Sequence, residues 1–562
     1  MPIVTDDAPR AVATWLPRYR RAWLSADLVA GTTLAAFVVP ESLAYAELAG
    51  LPPASGLYCY LFAGLAYALL GTSRTLAIGP TSALSLAVAA TLGTLAAGDP
   101  ARHLSLAATA AILVGAIALG AWMLRLGSVM YFISDTILSG FKIGAALVIA
   151  STQIPKLLGM EGAPHGFVPA VAHLVRHLGA VHAPSAAVGG AALVLLLAGD
   201  ALLPHRPVAL FVIAAALVLA PFVELGMLGV KLVRDIPSGL PGIVVPHVDL
   251  ADLPALLPLA FACFVLGCVE GTSVARTFAD RDGDTIDTNR ELLALGVTNV
   301  VVGLGKGFPV SGGTSQSAVN DTAGAKSPLS LVVTSLWVAV VLLVATGVFR
   351  GLPQPVLAAL VIAAVARLVR LEQLRALWAT SGSAFAVAVL TILGVLLLGI
   401  LQGILVATLF SLALLIRTIA SRPVAVLGRL PGTDLFREIA RHPDGERVPG
   451  VLVIRPQAEL VYFNVASVSD QVLALVASSP DPVRAVVLDV ALTPTIDVPT
   501  ARALGALHER LTARGVMLRF AEAYPAVREQ LRTLAPRRDF GTLDARLSVG
   551  EAVTEASREV AR

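Results

Sequence analysis

Thr75-Leu76-Ala77-Ile78-Gly79-Pro80-Thr81-Ser82 and Phe308-Pro309-Val310-Ser311-Gly312-Gly313-Thr314-Ser315-Gln316-Ser317 are two versions of one pattern. Each reads as a short extended piece, then a Gly/Pro/Ser/Thr turn, then the start of a helix. Both lie among long apolar runs, where extended backbone must be shielded by protein or line a cavity. A helix that starts at mid-membrane points its free N–H groups and its positive dipole end at the gap. Two such ends facing each other hold an anion without needing a full positive charge. The hydroxyls of Ser82, Ser311, Thr314 and Ser315 add donors.

Around these stretches the chain is apolar on a scale that only a membrane explains. Mean hydropathy is +0.80 and only 14 % of the 562 residues are charged, against about 25 % in an average soluble chain. A spanning helix needs roughly 20 apolar residues. Runs of that kind recur at 28–48, 57–72, 76–96, 104–124, 132–154, 184–203, 207–228, 252–275, 288–304, 311–325, 328–349, 353–368, 384–398 and 400–419, which is about 14 spans. The two interrupted runs are the third of the first seven and the third of the second seven. Matched interruptions in two halves are the best sequence pointer to a transporter site. With the N-terminus inside, inside loops hold 16 Lys and Arg and outside loops 7, so both termini are expected in the cytoplasm. Asp6, Asp7, Arg10, Arg18, Arg20 and Arg21 precede the first run, so a cleavable signal is not expected.

Charges at membrane depth are costly and point to function. Glu270 sits well inside the run Phe264-Val265-Leu266-Gly267-Cys268-Val269-Glu270-Gly271-Thr272-Ser273. A carboxyl removed from water holds its proton more tightly, which suits proton coupling; the alternative is a structural glutamate bonded to a half-helix. Glu41 follows Pro40, whose ring frees a carbonyl beside the site, and reads equally as a site residue or as half of an ion pair. Glu47 lies nearer the outer end. Lys142, near the middle of the fifth run, is expected to neutralise a glutamate rather than to touch the anion directly.

The last 142 residues differ. They hold 35 of the 79 charged residues, as an ordinary soluble domain would. Residues 451–455 and 460–463 read as strands, 464–477 as helix, 483–490 as strand, 498–513 as helix, 516–520 as strand and 526–534 as helix: an α/β domain with a central sheet. The expected boundaries are 1–26 for an N-terminal segment, 27–420 for the membrane part (repeats 27–230 and 252–420), 421–450 for a linker and 451–562 for the α/β domain. No phosphate loop, catalytic triad or metal-ligand cluster stands out, so neither an enzyme nor a cofactor is expected. Cys59, Cys263 and Cys268 are too few for a disulfide framework or zinc site, and a net charge of +3 without a basic cluster argues against nucleic acid.

Pro40-Glu41-Ser42-Leu43-Ala44-Tyr45-Ala46-Glu47-Leu48-Ala49-Gly50-Leu51-Pro52-Pro53 with Gly56-Leu57-Tyr58, Gly71-Thr72-Ser73-Arg74 with Gly79-Pro80, and Gly307-Phe308-Pro309-Val310-Ser311 closely resemble the SulP family of anion transporters. Gly140-Phe141-Lys142, Gln153-Ile154-Pro155-Lys156-Leu157-Leu158-Gly159 and Arg276-Thr277-Phe278-Ala279 extend the likeness, and Asp489 with Ile496-Asp497 resembles a STAS domain. The resemblance implies an α-helical polytopic membrane protein with two inverted seven-helix repeats. A uracil-permease-like core (spans 1–4 and 8–11) moves against a gate (spans 5–7 and 12–14), followed by a cytoplasmic α/β STAS domain. It also implies a homodimer, residence in the bacterial inner membrane, and a glutamate at 270 linked to proton coupling. Many relatives carry arginine where Gln316 stands and glutamine where Glu41 stands, so this site is more negative than theirs. The serine phosphorylated in soluble STAS relatives has no clear match, although Thr500 is near.

The anion is therefore expected against Tyr45, Gly79, Pro80, Thr81, Ser82, Ser311, Gly312, Gly313, Thr314, Ser315 and Gln316, with Glu270 and Glu41 carrying the proton and Lys142 as charge partner. The leading expectation is sulfate:proton symport. The alternative within the class is a bicarbonate or dicarboxylate carrier, sodium-coupled through Glu270, Thr272 and Thr314. The alternative of another kind is a membrane-anchored signalling protein whose STAS domain binds a cytoplasmic partner.

Overall fold

The computed structural model describes residues 12–127, 135–160, 166–202, 208–233, 239–247, 249–345, 347, 351–366, 369, 371–420, 423–534, 540–543 and 546–561. The sequence readings at residues 1–11, including Asp6, Asp7 and Arg10, and parts of the runs at 132–154, 184–203, 207–228, 328–349 and 353–368 fall outside them. Two compact units result, residues 1–409 and 410–562.

Every apolar run contains a helix. The first half carries α1 (Leu24–Leu48), α2 (Ala54–Leu70), α3 (Ser82–Leu95), α4 (Pro100–Met123), α5 (Asp135–Leu157), α6 (Phe167–Arg176), α7 (Ala183–Leu202) and α8 (Val208–Val223). The second carries α9 (Leu253–Asp282), α10 (Thr288–Leu304), α11 (Thr314–Thr322), α12 (Leu329–Val340), α13 (Gln354–Ala366), α14 (Leu371–Thr380), α15 (Gly382–Leu398) and α16 (Ile400–Ala420). Helix ends follow local chemistry. Asp99 caps α4 by accepting from Ala101 N, Asp287 caps α10 by accepting from Asn289 N and Arg290 N, and Gly283 closes α9 at φ 70°. Arg21–Leu48, Pro100–Met123 and Leu250–Arg281 are among the segments long and apolar enough to cross a membrane on their own. The short helices α6 and α14 were not foreseen; each carries large apolar side chains on an exposed face, Val168 and Val175 in one, Leu371 and Trp378 in the other.

The packing exposes a two-fold relation that adds eight to each helix number. α4 packs on α10 and α12 on α2; α1 packs on α12 and α9 on α4; α5 packs on α15 and α13 on α7; α1 packs on α11 and α9 on α3. One cluster joins α1–α4 with α9–α12, and the other joins α5–α8 with α13–α15. Within the first, backbones touch directly. A Cβ on Gly115 of α4 would lie 2.6 Å from the Gly296 carbonyl of α10, and one on Gly64 of α2 would lie 2.9 Å from the Leu331 carbonyl of α12. Such close approach gives helices in lipid their dispersion contacts. Cys59, Cys263 and Cys268 are buried free thiols in this core.

Asp27, fully buried in α1, accepts bonds from Lys326 N (2.7 Å), Ser327 N (3.0 Å) and Ser327 Oγ (2.7 Å) at the approach to α12. On the related pair, Asp252 before α9 accepts from Arg102 Nη2 of α4 at 2.9 Å. Buried Glu291 of α10 accepts from Tyr67 Oη, Thr72 N and Thr72 Oγ1. These three carboxylates tie the two sequence halves together, and sequence reading singled out none of them.

The second unit has a five-stranded sheet in the order β4-β3-β5-β6-β7, from β3 (Val424–Arg429), β4 (Phe436–Glu438), β5 (Val451–Pro456), β6 (Ala485–Asp489) and β7 (Met517–Ala521). β5, β6 and β7 run parallel, and β3 pairs antiparallel with both β4 and β5. Helices α17 (Val465–Ser478), α18 (Val498–Thr512) and α19 (Pro525–Leu534) pack over one core, and α20 (Val549–Val560) over the other. Two expectations need correction. Residues 421–450, read as a linker, supply β3 and β4. Residues 460–463, read as a strand, form a turn: the Asn464 side chain accepts from Val461 N (2.9 Å) and donates to Glu459 O (2.7 Å), so local bonds replace a ladder.

Asp497 caps α18 by accepting from Thr500 N at 2.7 Å. Its bonds from Thr500 hold the carboxyl below the usual carboxylate range. A carboxyl lowered on folding stabilises the fold above its unfolded value and loses that contribution as pH falls through the lower folded value. Thermal unfolding of this unit should therefore lose the cap's contribution below roughly pH 4. Asp497→Ala should cost about 1 kcal/mol at neutral pH and flatten that part of the pH profile.

Candidate functional site

Pro80 has no N–H, and Pro309 likewise interrupts any helix on its side, so both chains arrive extended. The two extended pieces meet. β1 (Ile78–Gly79) pairs antiparallel with β2 (Ser311–Gly312), with Ile78 opposite Gly312 and Gly79 opposite Ser311. Each satisfies backbone groups that the apolar interior would otherwise leave bare. Gly313 N adds a bond to Ala77 O at 3.0 Å. α3 then starts at Ser82 and α11 at Thr314, so both half-helix N-termini flank one miniature sheet.

Side chains lock the crossing. Ser317 Oγ accepts from Ala77 N (2.9 Å) and donates to Gly313 O (2.7 Å). Asn299 of α10 donates to Val310 O and accepts from Val310 N, both at 3.0 Å, and Asn320 donates to Thr75 O at 3.0 Å. Sequence reading missed Ser317, Asn299 and Asn320. An asparagine inside the apolar run 288–304 was the available signal. Space is tight as well: a Cβ on Gly79 would overlap the Tyr60 ring.

The foreseen residues divide by what they touch. Gln316 Nε2 donates to Glu41 Oε2 and to Pro80 O, each at 3.0 Å, and Tyr45 Oη donates to Glu41 Oε1 at 2.9 Å. One buried chain thus links α1, the approach to α3 and the first turn of α11. Ser82 faces the Tyr45 hydroxyl, and Thr81 accepts from Ser85 N at 2.9 Å as α3 begins. Glu270 of α9 lies against β2, facing Ser311. Glu270 Oε2, Ser311 Oγ, Thr314 Oγ1 and Gln316 Oε1 are buried polar atoms with no protein partner. Thr314 and Ser315 are partly buried in the first turn of α11.

Lys142 acts on Glu270 through its charge, without an ion pair to it among the described residues. The local inventory is thus two carboxyls, one ammonium, hydroxyl donors and two helix N-termini. That set suits a small anion whose negative charge is offset by a proton or another cation. No cluster of three or more metal-binding side chains is present among the described residues.

Comparison with known proteins gives the family. Residues 24–391 match the Sulfate permease family and residues 442–552 the STAS domain. The chain is 36 % identical over 526 residues to a probable sulfate transporter of Mycobacterium tuberculosis, covering 92 % of this chain and 94 % of that protein. It is 32 % identical to the chloroplastic sulfate transporter 4.1 of Arabidopsis thaliana, covering 90 % and 76 %. The structure of murine solute carrier 26 member A9, an anion transporter, superposes with a TM-score of 0.90 at 23 % identity, over 97 % of this chain and 93 % of that one. The transmembrane domain of the cyanobacterial bicarbonate transporter BicA gives 0.61 at 23 % identity, over 70 % and 98 %. With its crossed half-helices, its inverted repeats and its appended α/β sheet domain, the chain belongs to the sulfate permease family of membrane anion transporters and carries a C-terminal STAS domain.

Proposed function

We propose that this chain is a secondary transporter that carries sulfate together with a proton across the bacterial inner membrane, by moving the α1–α4/α9–α12 core against the other helical cluster, as a homodimer with cytoplasmic termini. The observation that carries the reading is the pairing of β1 with β2, which aims the N-termini of α3 and α11 at one place beside Glu270. The names of the 36 % and 32 % identical relatives support sulfate. The charge inventory supports coupling: with Glu41 and Glu270 both ionised, a dianion meets more negative than positive charge.

Hydrogen-bond bookkeeping favours Glu270 over Glu41 as the proton carrier. Both Glu41 oxygens already accept, from Tyr45 and from Gln316. Glu270 Oε2 accepts from nothing, so a proton there adds a donor where the site has an unmatched acceptor. Lys142 from α5 and Tyr45 from α1 are the charged and titratable groups that act on Glu270, with Glu41 beyond Tyr45.

The test is radiolabelled sulfate uptake into proteoliposomes with and without an acid-outside gradient. Uptake that rises with the gradient supports the reading; uptake absent under both conditions overturns the substrate. A second reading rests on the two unmatched acceptors, Glu270 Oε2 and Gln316 Oε1. An oxyanion that brings its own O–H, such as hydrogencarbonate, would donate to one of them directly, and sodium beside Glu270 and Thr314 would serve the same end. Bicarbonate uptake and sodium dependence, measured in the same vesicles, separate these cases.

Gln316→Ala should release Glu41 and the Pro80 carbonyl together. Losing a bond to a charged group costs about 1.5–3 kcal/mol. The half-saturation concentration for the anion should rise roughly tenfold or more, while Gln316→Glu, which keeps the length but not the donor, should not restore it.

A further inference from the structure

We propose that residues 12–24 form a docking site for the headgroup phosphates of anionic phospholipids, at the leaflet where α1 enters the membrane. The segment is not a loose tail. Ala13 N donates to Leu69 O and Trp15 Nε1 to Ala68 O, both at 2.6 Å, so it is fastened to the end of α2. Two short turns, Leu16–Arg18 and Arg21–Trp23, carry it into α1.

Its side chains form a ladder. Trp15 meets Tyr19 edge to face at 5.8 Å and Tyr19 meets Trp23 at 6.0 Å. The Arg20 guanidinium sits 5.7 Å from the Trp23 ring centre, and Arg74 covers the same ring at 6.0 Å. Arg74 is already paired with Asp284 at 2.9 Å. Arg18, Arg20 and Arg21 are exposed and make no ion pair among the described residues. Beside them Leu16 and Leu24 are 58 % and 45 % exposed, and the apolar surface continues along α1 through Leu28 and Val29.

Aromatic side chains settle at the headgroup level of a bilayer. Arginine matches phosphate oxygens with two parallel bonds. Basic residues next to a spanning helix are drawn to anionic lipid. A soluble phosphate would use the arginines but leave Leu16 and Leu24 in water. A phospholipid uses both, and this surface is continuous with the membrane-facing side of α1. The occupant is therefore a lipid.

The experiment is titration of the detergent-purified full chain with short-chain phosphatidylglycerol, phosphatidylcholine and glycerol 3-phosphate. Phosphatidylglycerol should bind and weaken as salt is raised, while the other two bind far less. Arg18→Gln/Arg20→Gln/Arg21→Gln, all at exposed positions, should lose roughly a hundredfold in affinity, from about fivefold per charge. Leu16→Ser/Leu24→Ser should weaken phosphatidylglycerol and leave glycerol 3-phosphate unchanged. Equal binding by the triple variant, equal binding of phosphatidylcholine, or salt-independent binding by the unaltered chain would each overturn the proposal. Glycerol 3-phosphate binding as tightly as the lipid would make it a soluble-anion site instead.

Discussion

Glu270→Gln should abolish the response of anion uptake to a pH gradient while leaving gradient-free exchange in place. Glutamine keeps the size and the polarity of the side chain, so the packing of α9 against β2 is preserved. What it removes is the ability to gain and lose a proton beside the α3 and α11 N-termini. One pH unit is about 1.4 kcal/mol per coupled proton, enough to sustain about tenfold accumulation. The unaltered protein should approach that factor per unit and the variant should show none. Because Glu270 Oε2 has no protein donor, the amide also places an N–H where a protonated carboxyl would donate. The variant should therefore hold the anion at neutral pH as the unaltered protein does at acidic pH. Equal gradient response in both proteins would move the proton to Glu41 or off the protein altogether.

Asp27→Ala should be the most damaging single change outside the transport site. Three donors from residues 326 and 327 point at a carboxylate with no exposed surface. Truncation leaves two backbone N–H groups and a hydroxyl without partners in a buried place. At about 1–3 kcal/mol for each unsatisfied group, the loss should exceed 3 kcal/mol. The partners lie 299 and 300 residues away, so the loss falls on a contact between the two sequence halves. The expected readout is a melting temperature lowered by several degrees in detergent, with a smaller drop for Asp27→Asn, which keeps one acceptor oxygen. An unchanged melting temperature would mean that water replaces the carboxylate, and that this end of α12 is wetter than its burial indicates.

Much of the protein is legible in its sequence, for a reason particular to its solvent. Lipid offers no hydrogen bonds, so spanning segments must be helices, and an extended Gly/Pro/Ser/Thr stretch inside an apolar run has few meanings. Gly79-Pro80 and Ser311-Gly312-Gly313 stood out on that ground, and Glu41, Glu270 and Lys142 because charge in an apolar run is costly. In the α/β unit the buried strand at 485–489 and the helices at 465–478 and 498–512 were equally plain. The strands at 424–429 and 436–438 were not, because Pro423 and the Pro431-Gly432 turn flank them and the edge strand is only three residues long, so the stretch reads as a linker.

The amino-acid sequence by itself determined that this chain is a two-part membrane protein with an interrupted span in each half and two carboxyls at membrane depth, because periodicity and desolvation are local properties of residues. Only the tertiary structure decided that Ile78 faces Gly312, that Gln316 bonds Glu41 and Pro80, that the charge of Lys142 acts on Glu270, and that Asp27 and Glu291 fasten the halves. Those pairings join residues more than 200 positions apart in most cases. Their partners are chosen by which helices can approach closely at glycine and by which buried donors remain unmatched, and neither is written in any short stretch of sequence.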